Sequence, residues 1–543
     1  MSHCAKTWRP QEFGLVELSK SHLAKKADEI SAAGRQAAVR KDWARVSRCA
    51  HDLKRMLPRE AEGYYLLGLS QKGRGRIEDA AAAFSRALDL DNRRYDAAVE
   101  LAFLLVLLNR HGEARNLLDK YRPALGNSPR YLDLAGQTYT RMSLHQDAWD
   151  AYQHADRLQP DVDSVQANLA SCAVYLGKTD VAKTIYRKLL AKHPKHQRNH
   201  YELAQLQRAS NDDHVRQMMD VLDGADPDPA KNIYLYYAIG KELEDLERWD
   251  ESFEYYLRAG NAVKSVSDYD VSEDVAIMDT IRSVCSAAWL ADAPSTEGTA
   301  RTPIFIVGLP RTGTTLTDRI LASHSEVQSA GETQLLQMVL RRLGGAEQSR
   351  QITPAAIEVA AAAEPGLIAG QYYEAIAYRL GEAPLFIDKL PENVLFLGFV
   401  AKAWPDARIV HLRRNPLDAC FAMFKQSYFR FAYSFDDLAE YYLAYDRLSR
   451  HWREVLGNRV IEVEYEQLVT DQDRQTRILL DRLGLPFEEA CLRLDSVAAP
   501  IATASSAQVR EKVHTRSVGK WTKYRKQLAG LKQRLEAGGV ITE

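Results

Sequence analysis

A 34-residue period over residues 61 to about 260 constrains this chain more than any other feature. Gly68 is followed by Ala80, Phe84 and Ala87, and a shift of 34 residues finds the same roles at Ala102, Ala114, Leu118 and Tyr121. Gly136, Ala148, Tyr152 and Ala155 come next, closed by Pro160, and Ala170, Ala182, Tyr186 and Leu189 follow, closed by Pro194. Ala204 continues the frame with an irregular second helix, and Gly240, Ser252, Tyr256 and Ala259 resume it after two extra residues. A small residue is needed where paired helices touch, a large one fills the space beside it, and a proline ends the second helix because its ring cannot continue one. A period of this length demands a stack of helix pairs, each burying its apolar face on the next.

The repeat resembles the tetratricopeptide repeat, which implies an all-α solenoid whose concave face binds a peptide or protein partner. Every anchor residue itself reads as helix packing. The expected organisation is a helical cap or degenerate repeat at 1–60, the array at 61–289, a linker at 290–303 and a second domain at 304–543. His193, His196 and His200 straddle a proline between repeats without Cys or carboxylate company, so they read as solvated turn histidines rather than metal ligands.

The segment "LADAPSTEGTARTP" (290–303) changes the pattern. Downstream, "PIFIVG", "PLFID", "ARIVHL" and "RVIEVEY" read as strands alternating with helices, the signature of an α/β domain with a central parallel sheet. A net charge of −1 gives no global attraction to nucleic acid or an anionic membrane. The scattered cysteines, without a CxxC pair, fit a reducing compartment. The longest apolar run, "LAFLLVLL" at 101–108, is too short to span a bilayer. With no apolar leader in "MSHCAKTWRPQEFGL", the expectation is a cytoplasmic protein.

The first strand runs into "GLPRTGTTL", a Gly-rich turn opening a helix. Free N–H groups at a helix N-terminus attract anions, and Arg311 adds a planar cation suited to paired oxygens. The lysine that a nucleoside-triphosphate loop uses is absent, Thr314 and Thr315 standing in its place, and no strand-end carboxylate is evident for Mg²⁺. Kinase or ATPase chemistry therefore fits poorly, and no metal is expected.

"PRTGTTL" resembles the 5′-phosphosulfate loop of sulfotransferases that use 3′-phosphoadenosine 5′-phosphosulfate (PAPS). The longer stretch "GLPRTGTTLTDRILASHSEVQSAGET" is similar to tyrosylprotein sulfotransferases and to bacterial tetratricopeptide sulfotransferases, with the resemblance extending over residues 303 to 525. It implies PAPS as co-substrate, a hydroxyl acceptor, and a P-loop-like domain in which Arg311, Thr312, Gly313, Thr314 and Thr315 bind the donor. Glu332 in "SAGET" is then the candidate base and Lys389 in "FIDKLPEN" the cation for the leaving oxygen. For Glu332 the alternative is a carboxylate serving the next helix; for Lys389, a surface lysine paired with Asp388. Arg414 resembles the arginine of the donor's 3′-phosphate, with Arg413 its confusable neighbour. Tyr465, Ser505 and Lys520 resemble further donor contacts, Tyr465 reading equally as a strand-end core aromatic. One position departs from the pattern: the phosphate-binding serine eight residues after the arginine is Ala422 here. "SYFRFAYSF" (427–435) either lines the acceptor cleft or packs as core. Tyrosine in a protein, a saccharide and a small phenol stay open as acceptors. The competing expectation, favoured by Ala422, is a sulfotransferase-like domain without turnover serving an interaction scaffold.

Overall fold

The computed structural model describes residues 11–292, 301–347, 349, 351–493 and 513–542, with side chains from residue 22 onward. The chain divides into two compact units, Met1–Val165 and Gln166–Glu543. That division falls near the start of the helix Asp163–Tyr175, well before the expected linker. The later repeats share a unit with the sheet domain because their helices carry apolar and charged contacts to it, described below. Residues 293–300 of the expected linker lie outside the described residues.

The first unit is a run of antiparallel helix pairs: Ala61–Gly73 with Ile77–Leu90, Tyr95–Leu107 with His111–Tyr121, and Pro129–Arg141 with His145–Leu158. They are preceded by Gln11–Val39 and Trp43–Met56, the second capped by the Asp42 carboxylate accepting from the Arg45 N–H. The periodic anchors do what their sizes require. A methyl group on Gly68 would sit 2.6 Å from the Phe84 ring, and one on Gly136 would sit 2.5 Å from Tyr152, so neither position admits a side chain.

The second unit opens with three more pairs and ends its array in α1 (Ile233–Asp245) and α2 (Trp249–Ser265). Gly240 lies against Tyr256, and the buried Ser252 hydroxyl donates to the Gly240 carbonyl at 2.7 Å, which explains a hydroxyl at the small-residue position. One expectation fails here. His193 and His196 are exposed turn residues, but His200 is buried, its Nε2 against the Pro194 carbonyl (2.8 Å) and its Nδ1 against His214 Nε2 (2.9 Å). The helix that follows the proline carries His200 inward one turn after its start. Among the described residues no cluster of His, Cys, Asp and Glu is arranged to hold a metal, and no helix is long and apolar enough to cross a membrane. The described cysteines are free thiols.

The sheet has five parallel strands: β1 (Thr302–Gly308), β2 (Val327–Ser329), β3 (Leu385–Lys389), β4 (Arg408–Arg413) and β5 (Val460–Glu464), in the order β2-β3-β1-β4-β5. Successive side chains alternate faces. Ile304 and Ile306 enter one apolar core with Ile387, Val410 and Leu412; Phe305 and Val307 enter the other with Phe386 and Ile409. Burial on both faces explains the near-continuous apolar runs in the sequence. Only β2 escaped the sequence reading, because three residues in "EVQSA" carry no alternation. Further helices include α3 (Thr314–Ala322), α4 (Leu335–Leu343), α5 (Pro416–Phe424) and α6 (Phe435–Leu456). The larger core continues into the array: Phe253 of α2 stacks on Phe421 and Phe424 of α5.

Candidate active site

A cavity of about 640 Å³ opens at the C-terminal ends of β1, β3, β4 and β5, where parallel sheets present their loops. The loop after β1 is shaped by backbone strain. Gly308 and Gly313 have φ of 149° and 99°, and Arg311, with a side chain, is held at 68°. Left-handed conformation at a non-glycine residue costs free energy and persists only where surrounding contacts enforce it. One such contact is Arg414 at the end of β4, whose Nη1 donates to the Arg311 carbonyl at 2.8 Å. Thr312 turns inward, its hydroxyl donating to the Leu309 carbonyl at 2.6 Å. Gly313 then starts α3, and a methyl there would lie 2.6 Å from the Tyr465 ring. Thr314 and Thr315 form the first turn of α3 and line the cavity with Gly313 and Arg311.

Tyr465 lies at the β5 end, not within the core. The Arg414 guanidinium stands 4.7 Å over its ring centroid, and Arg414 Nη2 donates to the Ser517 carbonyl at 2.5 Å. Arg414 thus ties the loop after β1, the β5 end and the segment after residue 512 together. Its Nε is buried without a hydrogen-bond partner. Arg413, the neighbour, faces the other way, 3.7 Å from Glu462. Burial makes the Arg311 guanidinium less willing to hold its proton, and the Arg414 charge acts in the same direction, opposed by nearby tyrosines. Two guanidinium groups crowded beside a helix N-terminus favour an anion between them.

Lys389 ends β3 and is 1% exposed, so it is no surface lysine. Nor does it pair with Asp388. Adjacent strand residues face opposite ways, and Asp388 accepts from the Tyr372 hydroxyl (2.7 Å) and the Thr333 hydroxyl (2.9 Å) on the other face. Burial pushes the Asp388 carboxyl up to about 6, against those hydrogen bonds. Lys389 instead makes an ion pair with Glu332 and reaches the Thr315 hydroxyl at 3.5 Å. Glu332 does not cap the following helix; the residue preceding α4 is Gln334, whose side chain makes no capping bond. Glu332 and the loop of α3 therefore line one cavity, and Lys389 joins them from behind its wall.

Lys520 also lines the cavity, its Nζ 2.5 Å from Glu244. Ser505 lies outside the described residues. The aromatic segment divides: Tyr428, Phe429 and Arg430 line the cavity, while Phe431 and Tyr433 are buried in the core beneath. The sequence reading missed Glu244, Asp318, Glu392 and Lys425. Asp318 is buried in α3, its carboxyl raised by that burial and pulled back by Lys389, and Glu392 is raised by burial beside the same pair. Glu244, Asp318 and Lys425 lie in or at the end of helices without a motif to mark them, and Glu392 follows Lys389 in "FIDKLPEN", where the lysine drew the reading.

Residues 303–489 match the sulfotransferase family. Residues 73–137 and 168–196 match tetratricopeptide repeats. The segment similar to sulfotransferases holds the loop after β1, Glu332, Lys389, Arg414 and Tyr465, and it follows the segments similar to tetratricopeptide repeats. An uncharacterised protein of Aquifex aeolicus is 26% identical over 424 residues, 76% of this chain and 55% of its own length. The protein-tyrosine sulfotransferase of Drosophila melanogaster is 26% identical over 40% of this chain and 46% of its own length, and protein-tyrosine sulfotransferase 1 of Danio rerio 25% identical over 40% and 65%. The chain thus spans about half the length of the first and second of these relatives and about two thirds of the third. Among solved structures, the sulfotransferase domain of the Synechococcus PCC 7002 olefin synthase aligns over 46% of this chain and 98% of its own, with 22% identity and a TM-score of 0.35.

Proposed function

We propose that this protein transfers a sulfuryl group from PAPS to an acceptor hydroxyl, with peptidyl tyrosine the first acceptor to test and the repeats recruiting the acceptor or a partner. The observation that carries the reading is the convergence of the α3 N-terminus, Arg311 and Arg414 with the Glu332–Lys389 pair at one cavity. The naming of the fly and fish relatives supports the tyrosine acceptor.

In this reading the N–H groups of Gly313, Thr314 and Thr315 and the Arg311 guanidinium hold the 5′-phosphosulfate, and Arg414 and Lys520 hold the 3′-phosphate. Tyr465 backs the nucleotide, and Thr312 keeps the loop in shape. Ser505 stays a proposed nucleotide contact on the resemblance alone. Glu332 takes the proton of the attacking hydroxyl as its oxygen bonds to sulfur. The bond from sulfur to the phosphate oxygen breaks, and Lys389 with the Thr315 hydroxyl receives the charge that appears on that oxygen. Products are the sulfate ester and 3′-phosphoadenosine 5′-phosphate (PAP). Preorganised cations and donors at the leaving oxygen are the main source of acceleration in such transfers, and no metal is required by the groups present.

The test is calorimetric titration with PAP without added metal, with ADP as the control lacking a 3′-phosphate. Micromolar PAP binding with much weaker ADP binding is expected; no binding of either overturns the donor reading. The second reading, a domain without turnover on an interaction scaffold, draws on Ala422, where a phosphate-binding hydroxyl is missing. Binding of PAP with no sulfuryl transfer to any of a tyrosine peptide, saccharide and phenol panel would favour it.

A further inference from the structure

Ala422 should leave the 3′-phosphate short of a contact, yet the cavity beside it is rich in positive charge. Asp418, Phe421, Ala422 and Lys425 follow one another at helical spacing along α5 and its C-terminal cap, and all line the cavity. Lys425 therefore stands one turn beyond the missing hydroxyl on the same face. Its side chain is 14% exposed, its Nζ lies 2.8 and 3.0 Å from the two Glu244 oxygens, and it sits 4.9 Å over the Phe421 ring centroid. Glu244 comes from α1, in the last helix pair of the array. It also accepts from Lys520 at 2.5 Å and from the Tyr524 hydroxyl at 2.9 Å.

Lys520 is placed with unusual care. The Asp418 carboxylate accepts the N–H of Gly519 at 2.7 Å and of Trp521 at 2.8 Å, clamping the backbone on both sides of Lys520. Asp418 is thereby spent on backbone, leaving Glu244 as the carboxylate that faces Lys425 and Lys520. Arg311 and Arg414 line the same cavity, and the Arg311 charge bears on Lys425. Glu332 and Glu392 line the cavity as well, but Lys425 and Lys520 both pair with Glu244, and two ammonium groups sharing one carboxylate near Arg311 and Arg414 make a seat for a further multivalent anion.

We propose that Lys425 replaces the hydroxyl missing at Ala422 as a ligand of the donor's 3′-phosphate, and that Glu244, supplied by the repeat array, is the counter-ion which that phosphate displaces from the two lysines. The inference rests on the PAPS reading above. Burial pushes the Lys425 ammonium down to about 8 against the pull of Glu244, in keeping with a cation held out of water for a partner of higher charge. A phosphate dianion offers both lysines more charge than one carboxylate does, and the swap makes the array's last pair part of the donor site.

The experiment is titration of the full chain with PAP and with ADP, in the wild type, Lys425→Met and Glu244→Gln. Lys425→Met is expected to weaken PAP about 10- to 100-fold, the loss of one charge-assisted contact, and to leave ADP unchanged. Glu244→Gln is expected to tighten PAP several-fold by removing the competing anion, again with ADP unchanged. PAP binding in Lys425→Met equal to wild type overturns the inference while the donor reading stands, and so does equal weakening of PAP and ADP, which marks Lys425 as structural. Weaker PAP binding in Glu244→Gln overturns the counter-ion role. Failure of wild type to prefer PAP over ADP removes the donor reading and this inference with it.

Discussion

Glu332 and Lys389 hold each other at the cavity wall, and the two residues carry different parts of the proposed reaction. Substituting Glu332 by Ala is expected to lower kcat by about 10²- to 10⁴-fold, the usual worth of a positioned base, while PAP affinity stays close to wild type. A collapse of PAP binding in that variant would make Glu332 a structural residue. Arg414→Ala should do the opposite and weaken PAP strongly, since the guanidinium also fixes the Arg311 and Ser517 carbonyls. Equal PAP affinity in that variant removes Arg414 from the donor site. At this scale the sequence was informative where a residue sat inside a motif, as Arg311, Glu332 and Lys389 do. It was silent on Glu244 and Lys425, because each acquires its meaning from a partner far along the chain, at separations of 181 and 276 residues for Glu244 with Lys425 and Lys520.

Among the elements, the strand–loop–helix from β1 to α3 depends on Gly313 twice over. Its φ of 99° excludes ordinary side chains, and the Tyr465 ring occupies the space a methyl would need. Gly313→Ala is expected to cost about 2 kcal/mol or more through left-handed strain and crowding, and to weaken PAP by moving the α3 N–H groups. A thermal unfolding scan together with PAP titration checks both; an unchanged Tm would show that the loop relaxes freely. The glycine was legible as a requirement for close approach. That the approaching group is Tyr465, at the end of β5, was not, since strand order decides which loop ends meet. The same limit applies to His200, whose place in a turn-like segment gave no hint that the helix start would carry it inward.

Over the second unit as a whole, Glu244 links the last repeat helix α1 to α5 and to the C-terminal segment. Burial alone would raise its carboxyl, but the Lys425 and Lys520 ammonium groups hold it down to about 2. A carboxyl depressed on folding contributes stability that is present above its ordinary value of 4.5 and is lost as pH falls toward about 2. Lys425, lowered only to about 8, stays charged throughout that window, and the Tyr524 hydroxyl, which burial raises, stays neutral. Glu244→Gln should therefore be less stable than wild type near pH 7, by about 3 kcal/mol or more because two ammonium groups lose their counter-charge. The gap should narrow below about pH 4.5. Urea unfolding of both proteins at pH 7 and pH 3.5 tests this, and a gap independent of pH would exclude the carboxylate as its source. Wild-type stability also carries an opposing contribution from Asp388, raised to about 6, which the comparison of two proteins sharing it cancels.

Local order was written in the chain. The 34-residue spacing required helix pairs, the doubly buried strands required a covered parallel sheet, and "PRTGTT" required a tight strand-to-helix turn, because each follows from contacts a few residues apart or from a periodic burial pattern. The tertiary structure alone decided that Lys389 meets Glu332 and not Asp388, that Arg414 ties the loop after β1 to the segment after residue 512, and that the array's last pair belongs to the same compact unit as the sheet. Those outcomes depend on strand order, on which face a side chain takes and on charges brought together over long stretches of chain, and none of these has a local signature.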